Sequence, residues 1–343
     1  MIPTTLDAFL NAFAEAGTAT QRDVAGTVRA IASAALQMRA VMSNAGPGAV
    51  DAILPRGADD PRGVLGHYAA AIFLDAMRRA PVALYFGTEA AGQVALSDAS
   101  GIAVAIHPLD GFSNIDINAA LGTIFSVLPT TPDDPAASFR QPGRKQMAAG
   151  FVVYGPQLGF VLTLGSGTHA FVFSATLGVF VRAWKSCDIP PDAEEYAVNA
   201  SNYRHWNAAV RVYIDDCISG ADGPRQRDFD MRWGASLVAH IYRILMRGGV
   251  YLDPGDTRKG CARGRLELVR QANPIAILVE QAGGRATDTV EPILDIVPET
   301  IGQLTPLVCG SRNEVERIAR YHTDPSNIAE RAPLFGNRGL FRV

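Results

Sequence analysis

The chain reads as an α/β protein built from two units. Three observations predict this: 343 residues is about twice a common domain length; long helical periods near the start give way to a run of short β-rich segments; and the last third mixes both patterns. From Thr20 to Asn44, Val24, Val28, Ile31, Ala32, Ala35, Leu36, Met38, Val41 and Met42 recur near every 3.6 residues, which predicts a long amphipathic helix. A second helix is expected over His67 to Arg79, where Ala70, Ile72, Phe73 and Met77 share a face, and it leads into a strand at Val82 to Phe86. From there to Trp184 come short β-rich runs separated by Gly, Pro and Asn: Ile102–Ile106, Phe151–Tyr154, Phe160–Leu164, Phe171–Phe173 and Val179–Val181. Gly165-Ser-Gly-Thr-His-Ala170 fits a loose dinucleotide pattern, but its flanks are strand-like on both sides, so a hairpin turn is expected.

The polar, proline-rich stretch Ile189-Pro-Pro-Asp-Ala-Glu-Glu marks a boundary near 190, dividing the chain into 1–189 and 190–343. Beyond it, Ser236 to Arg247 has helical spacing, Val250–Leu252 reads as a strand, and Pro274 to Gln281 reads as a helix stopped by Gly283-Gly284. No internal repeat or low-complexity tract is visible.

Composition narrows the partners. With 31 Lys and Arg against 34 Asp and Glu, a net charge of -3 gives no electrostatic footprint for nucleic acid or an anionic membrane. The apolar runs are strand-length, far below the ~20 residues of a spanning helix. The first residues lack the basic and apolar regions of a secretory leader, so a cytoplasmic location is expected. Cys187, Cys217, Cys261 and Cys309 form no CxxC pair and are expected to be reduced thiols. No Walker A loop, GxSxG elbow or HExxH motif occurs.

The segment Ala105-Ile-His-Pro-Leu-Asp-Gly-Phe-Ser-Asn-Ile-Asp116 carries chemistry. A strand runs into a tight polar turn with carboxylates at Asp110 and Asp116. A carboxylate at a strand end beside turned backbone carbonyls suits a hard cation and a phosphoryl oxygen. The same residues equally suit an Asx-capped turn.

The stretch His107-Pro-Leu-Asp-Gly-Phe-Ser-Asn-Ile-Asp116 resembles the DPLDGSSNID signature of class I fructose-1,6-bisphosphatases. Ordered matches follow along almost the whole chain: Gly122-Thr-Ile-Phe-Ser126, Gln141-Pro-Gly143, Ala148-Ala-Gly150, Val153-Tyr-Gly155, Asn199-Ala-Ser-Asn-Tyr203, the run from Met231 to Ala239, Gly248-Gly249, Asn273-Pro274, Glu280 to Ala286 and Leu294 to Pro298. The resemblance implies a layered αβαβα sandwich, a homodimer or homotetramer, and a site between the units where a divalent cation, Mg²⁺ or Mn²⁺, assists hydrolysis of a sugar phosphate.

Position by position, the resemblance implies metal ligands at Glu89, Asp110 and Leu109, with Asp60 of the Asp59-Asp60 loop as a further carboxylate. Other positions depart from the family pattern. His107 replaces the first signature Asp, Ala90 the second Glu of a Glu-Glu pair, Gln271 the acid before Asn-Pro, Gly66 an Asp, and Phe112 the first signature Ser. Fewer negative charges predict a weak polymetal site. An imidazole at 107 suits Zn²⁺, Mn²⁺ or Fe²⁺ better than Mg²⁺, or, if protonated, could meet phosphate directly.

The sugar-phosphate side keeps more. Ser113, Asn114, Asn199, Tyr203, Arg232, Ser236 and Arg265 fall at positions the resemblance implies for substrate contacts, Arg265 in place of a usual Lys and Asp253 in place of a usual Tyr. A guanidinium can clamp phosphate through two donors. Three functions are therefore expected in competition: a sugar-phosphate hydrolase with fewer or different metals, a non-catalytic sugar-phosphate binder, and a repurposed enzyme in which His107 and Asp253 supply acid–base chemistry for isomerisation or elimination.

Overall fold

Three helices, α1 (Leu6–Glu15), α2 (Ala19–Ser43) and α3 (Pro61–Arg79), pack on one face of an eight-stranded sheet. The computed structural model describes residues 4–15, 17–43, 61–88, 92–98, 100–131, 133–184 and 186–324. The sheet contains β1 (Leu84–Phe86), β2 (Gln93–Ala95), β3 (Ile102–Asp110), β4 (Leu121–Pro129), β5 (Ala148–Tyr154), β6 (Leu158–Thr163), β7 (His169–Ser174) and β8 (Val179–Arg182). Its order is β2-β1-β3-β4-β5-β6-β7-β8, antiparallel throughout except for the parallel β1–β3 pair.

Side chains alternate across this sheet as period-two geometry requires. Val104, Ile106, Phe125, Val127, Val152, Phe160 and Leu162 face the three helices, where Val24, Val28, Ile31, Met38, Phe73 and Met77 are buried. Ile124, Ala149, Phe151, Val161 and Ala170 face the other way. Both faces are covered, which is why these strands read as continuous apolar runs. Each fully buried Phe or Leu contributes roughly 1.5–3 kcal/mol by leaving water.

Behind that second face lies a middle layer, α5 (Leu237–Arg247) and α6 (Asn273–Gln281), and then a five-stranded sheet of order β10-β9-β11-β15-β13. Its strands are β9 (Glu195–Val198), β10 (Asp230–Met231), β11 (Val250–Asp253), β13 (Arg285–Thr287) and β15 (Leu307–Gly310); a separate pair joins β12 (Leu266–Glu267) to β14 (Leu304–Thr305). Ala197, Tyr251, Leu307 and Cys309 face the middle helices, whereas Tyr196, Val198, Val250, Leu252 and Val308 face the outer pair α4 (Ala208–Ile218) and α7 (Arg312–Thr323). The layers run helix, sheet, helix, sheet, helix, the αβαβα sandwich the resemblance implies.

Several elements differ from expectation. Helix α3 starts at Pro61, six residues before His67, with proline at the first helical position, where a missing N–H costs nothing. Helices α1, α4 and α7 and strand β4 go beyond the sequence expectation; β4 is buried on both faces, but Gly122, Thr123 and Ser126 interrupt its apolar run. The Gly165–Ala170 stretch is the β6–β7 hairpin turn, with Gly165 and Gly167 at positive φ. Asn44 falls outside the described residues.

Candidate functional site

Asp110 is aimed by its backbone. His107 pairs with Ile124 but Asp110 pairs with Gly122, so an extra residue bulges from β3 and breaks the regular ladder. Thr123 Oγ1 donates to the Pro108 carbonyl at 2.8 Å and lies 3.0 Å from Tyr154 Oη, which holds the bulge down. At Gly111, φ is +85° and a Cβ would stand 3.2 Å from the Ala120 carbonyl oxygen and 3.3 Å from Ser236 Cβ, so glycine is required there.

The turn places the Asp110 carboxylate on the N-terminus of α5. Oδ2 accepts from Ser236 Oγ at 2.9 Å and from the Val238 N–H at 3.2 Å. Burial raises the Asp110 carboxyl to about 6 against the opposing pull of these bonds. Close approach of α5 depends on Gly122, where a Cβ would lie 2.3 Å from Val238 Cγ2. Ser236, expected near the sugar, is fully buried, with its hydroxyl on Asp110 and on the Ala239 N–H at 3.4 Å. Asn114 is likewise buried, its amide donating to the carbonyls of Ala120 at 3.0 Å and Gly234 at 2.8 Å, whereas Ser113 is exposed.

The surroundings of His107 favour a neutral imidazole. Its Nδ1 is buried with no hydrogen-bond partner. Burial, reinforced by the Arg270 guanidinium, pushes its pKa down to about 3, while backbone contact with Leu109 acts the other way. It is therefore not the imidazolium that could meet a phosphate directly. Leu109 has a buried side chain. Phe112 is 40% exposed, and its ring covers Gly66 on α3: a Cβ at 66 would meet Phe112 Cε1 at 3.1 Å. Positions 66 and 112 thus pack against each other. Glu89, Ala90 and Asp60 lie outside the described residues.

On the second sheet, Asp253 ends β11 and is 6% exposed. It pairs closely with Arg265, which also lies 3.8 Å from Asp256. Burial raises the Asp253 carboxyl although Arg265 pulls it down. The Thr257 N–H donates to the His205 carbonyl at 3.1 Å, bringing this loop against the turn that carries Asn199 and Tyr203. Asn199 Oδ1 accepts from Ser201 Oγ at 2.6 Å, and Tyr203 Oη donates to Asp215 at 2.9 Å. Arg232 is half exposed and pairs with Asp230, with Glu195 at 3.8 Å.

Two groups escape the sequence reading. Trp233 stacks on His240 with centroids 5.2 Å apart and lies 6.3 Å from the Tyr251 ring; His240 Nε2 accepts the Gly234 N–H at 3.2 Å. The other is the ion pair of the buried Arg270 with the partly buried Glu267. Its three-residue spacing was visible, but the π-helical turn Leu268–Ala272 that orients it was not. A cavity of about 830 Å³ reaches the signature only through Ile115 and Asp116 and contains none of Asp110, Asp253 or Arg265.

A cation cluster of the Mg²⁺ type does not fit the described residues. No group of three or more His, Cys, Asp or Glu is placed to hold a metal among them. The described donors near the β3 end are Asp110, already a helix cap, and the orphan His107 nitrogen beside a guanidinium.

Models for the fructose-1-6-bisphosphatase N-terminal and C-terminal domains match residues 60–185 and 189–323. The chain is 53% identical over 345 residues, 99% of each chain, to a fructose-1,6-bisphosphatase class 1 of Sinorhizobium medicae. It is 48% identical over 326 residues, 93% of each chain, to one from Methylorubrum extorquens. Among solved structures, Leishmania major fructose-1,6-bisphosphatase in holo form superposes with a TM-score of 0.84 at 26% identity, covering 94% of this chain and 100% of that one. The T-state of the same enzyme gives 0.83 at 27% identity, covering 94% and 99%.

Proposed function

The chain belongs to the fructose-1,6-bisphosphatase family, and from that footing we propose that it binds a phosphorylated sugar and hydrolyses its phosphate ester weakly with Mg²⁺. The donor set carries the reading: of the described side chains expected to hold metal, only Asp110 is a carboxylate, and its Oδ2 caps α5. Arg265, between Asp253 and Asp256 and one loop away from Tyr203, is the group we assign to the non-reacting phosphate. Its side chain is 36% exposed, so a ligand phosphate competes with Asp253 for it. Arg232 lies outside that pairing and serves as a second cation. Ser113, exposed beside Phe112, is the signature hydroxyl left open to a ligand.

Isomerisation or elimination through His107 and Asp253 has less support. An imidazole titrating near 3 is a poor acid or base at neutral pH, and the Asp253 carboxylate is engaged with Arg265. Binding without turnover is the limit of the weak-hydrolysis reading as Mg²⁺ affinity falls. We also propose a cytoplasmic homo-oligomer, dimer or tetramer, with units meeting near residue 190. Four free cysteines suit a reducing compartment. No described helix is long and apolar enough to cross a membrane.

Phosphate release from fructose 1,6-bisphosphate across a Mg²⁺ titration tests the reading. Saturable binding by calorimetry with slow release is expected. Turnover near the ~10 s⁻¹ of an ordinary enzyme would overturn it.

A further inference from the structure

We infer that Arg270, paired with Glu267, is a resident cation in the charge position of a divalent metal, so that the end of β3 disfavours metal binding. The inference deepens the reading of a weakened metal centre and rests on it.

Arg270 is 5% exposed. Its Nε and one terminal nitrogen bond to the two oxygens of Glu267, and its other terminal nitrogen donates to the Gly87 carbonyl. The guanidinium carbon lies 4.6 Å from the centroid of Phe86, on β1. All three nitrogens are thus engaged, and the group is not free to clamp a substrate. Gly87 directly follows β1, so the cation ties that strand end to the second unit.

A guanidinium stays charged at any working pH. Glu267 neutralises it, but both Glu267 oxygens already accept from Arg270 and are withdrawn as metal donors. Gln271, next along the π-helical turn, is neutral, and its Oε1 accepts the Glu267 N–H at 3.0 Å. Phe86, under the guanidinium, pairs with Ala105, so the cation stands beside the strand that leads to His107 and Asp110. Among the described residues, a divalent ion at the end of β3 would meet a guanidinium whose paired carboxylate is already taken, and no group of three metal-binding side chains.

Mn²⁺ binding to the full chain, read by electron paramagnetic resonance of the free ion, tests this. Arg270→Met removes the charge, keeps bulk and frees Glu267; it should tighten Mn²⁺ binding by about tenfold or more. Arg270→Lys keeps the charge and should stay within about twofold of the wild type. Equal affinity in wild type and a folded Arg270→Met chain overturns the inference. If Arg270→Met does not fold, Glu267→Gln decides: leaving the cation uncompensated should weaken Mn²⁺ binding by about threefold or more, and unchanged or tighter binding counts against the inference. Fast Mg²⁺-dependent hydrolysis by the wild type would sink the weak-hydrolysis reading, whereas a flat Mn²⁺ comparison sinks this inference whatever the turnover.

Discussion

Ser236 Oγ donates to Asp110 Oδ2 at 2.9 Å while accepting the Ala239 N–H at 3.4 Å, so one hydroxyl both caps α5 and fixes the carboxylate at the end of β3. Ser236→Ala loses the cap and leaves a fully buried carboxylate short of a donor. We expect a loss of about 1–3 kcal/mol in urea unfolding. An unchanged midpoint would show that the contact carries no stability.

Asp253 and Arg265 make a second pair with the opposite consequence for binding. Asp253→Asn removes the competitor for the guanidinium and should tighten fructose 1,6-bisphosphate binding by about tenfold, or 1.4 kcal/mol. Arg265→Met should weaken it by at least about the same factor. Titration calorimetry of both variants checks the pair; weaker binding by Asp253→Asn would mean that Asp253 itself holds the sugar.

His240 supplies a pH signature. Burial first and the Arg243 guanidinium second lower its pKa to about 4. The folded ring stays neutral where the unfolded one takes up a proton, so its contribution to stability is complete above about 6.5. That contribution is lost as pH falls toward 4, at roughly 1.4 kcal/mol per pH unit. Asp110, raised to about 6, works in the opposite sense over part of this range. The difference between wild type and His240→Gln isolates the histidine: their stabilities should diverge with this slope between pH 6.5 and 4, and parallel curves would contradict the assignment.

Gly66 and Phe112 should couple. Gly66→Asp alone sets a Cβ 3.1 Å from the Phe112 ring, which must shift to make room, and Phe112→Ser alone uncovers the helix surface. Together they relieve each other, so a double-mutant cycle by thermal unfolding should give a favourable interaction of about 0.5–2 kcal/mol. Additive single effects would separate the two substitutions.

Much of the architecture was legible because helices announce themselves by period, as in α2, and buried strands by unbroken apolar runs, as in β3. Strand β4 did not: it is as buried as β3, but Gly122, Thr123 and Ser126 interrupt its apolar run. At the site, Asp110 was legible from its turn, but its use as a helix cap was not, because Ser236 and Val238 are more than 120 residues away in sequence. Glu267–Arg270 passes on the chain as an ordinary three-residue charge pair; only burial and the Gly87 carbonyl make it part of the centre.

The contact between Phe112 and Gly66 also bears on repair of the site. A Cβ at 66 would stand 3.1 Å from the half-exposed Phe112 ring, so the ring sets how much room a side chain on this face of α3 has. A carboxylate placed at 66 reaches the end of β3 only if that ring swings aside, which makes residue 112 the gatekeeper of any attempt to rebuild an acidic cluster there.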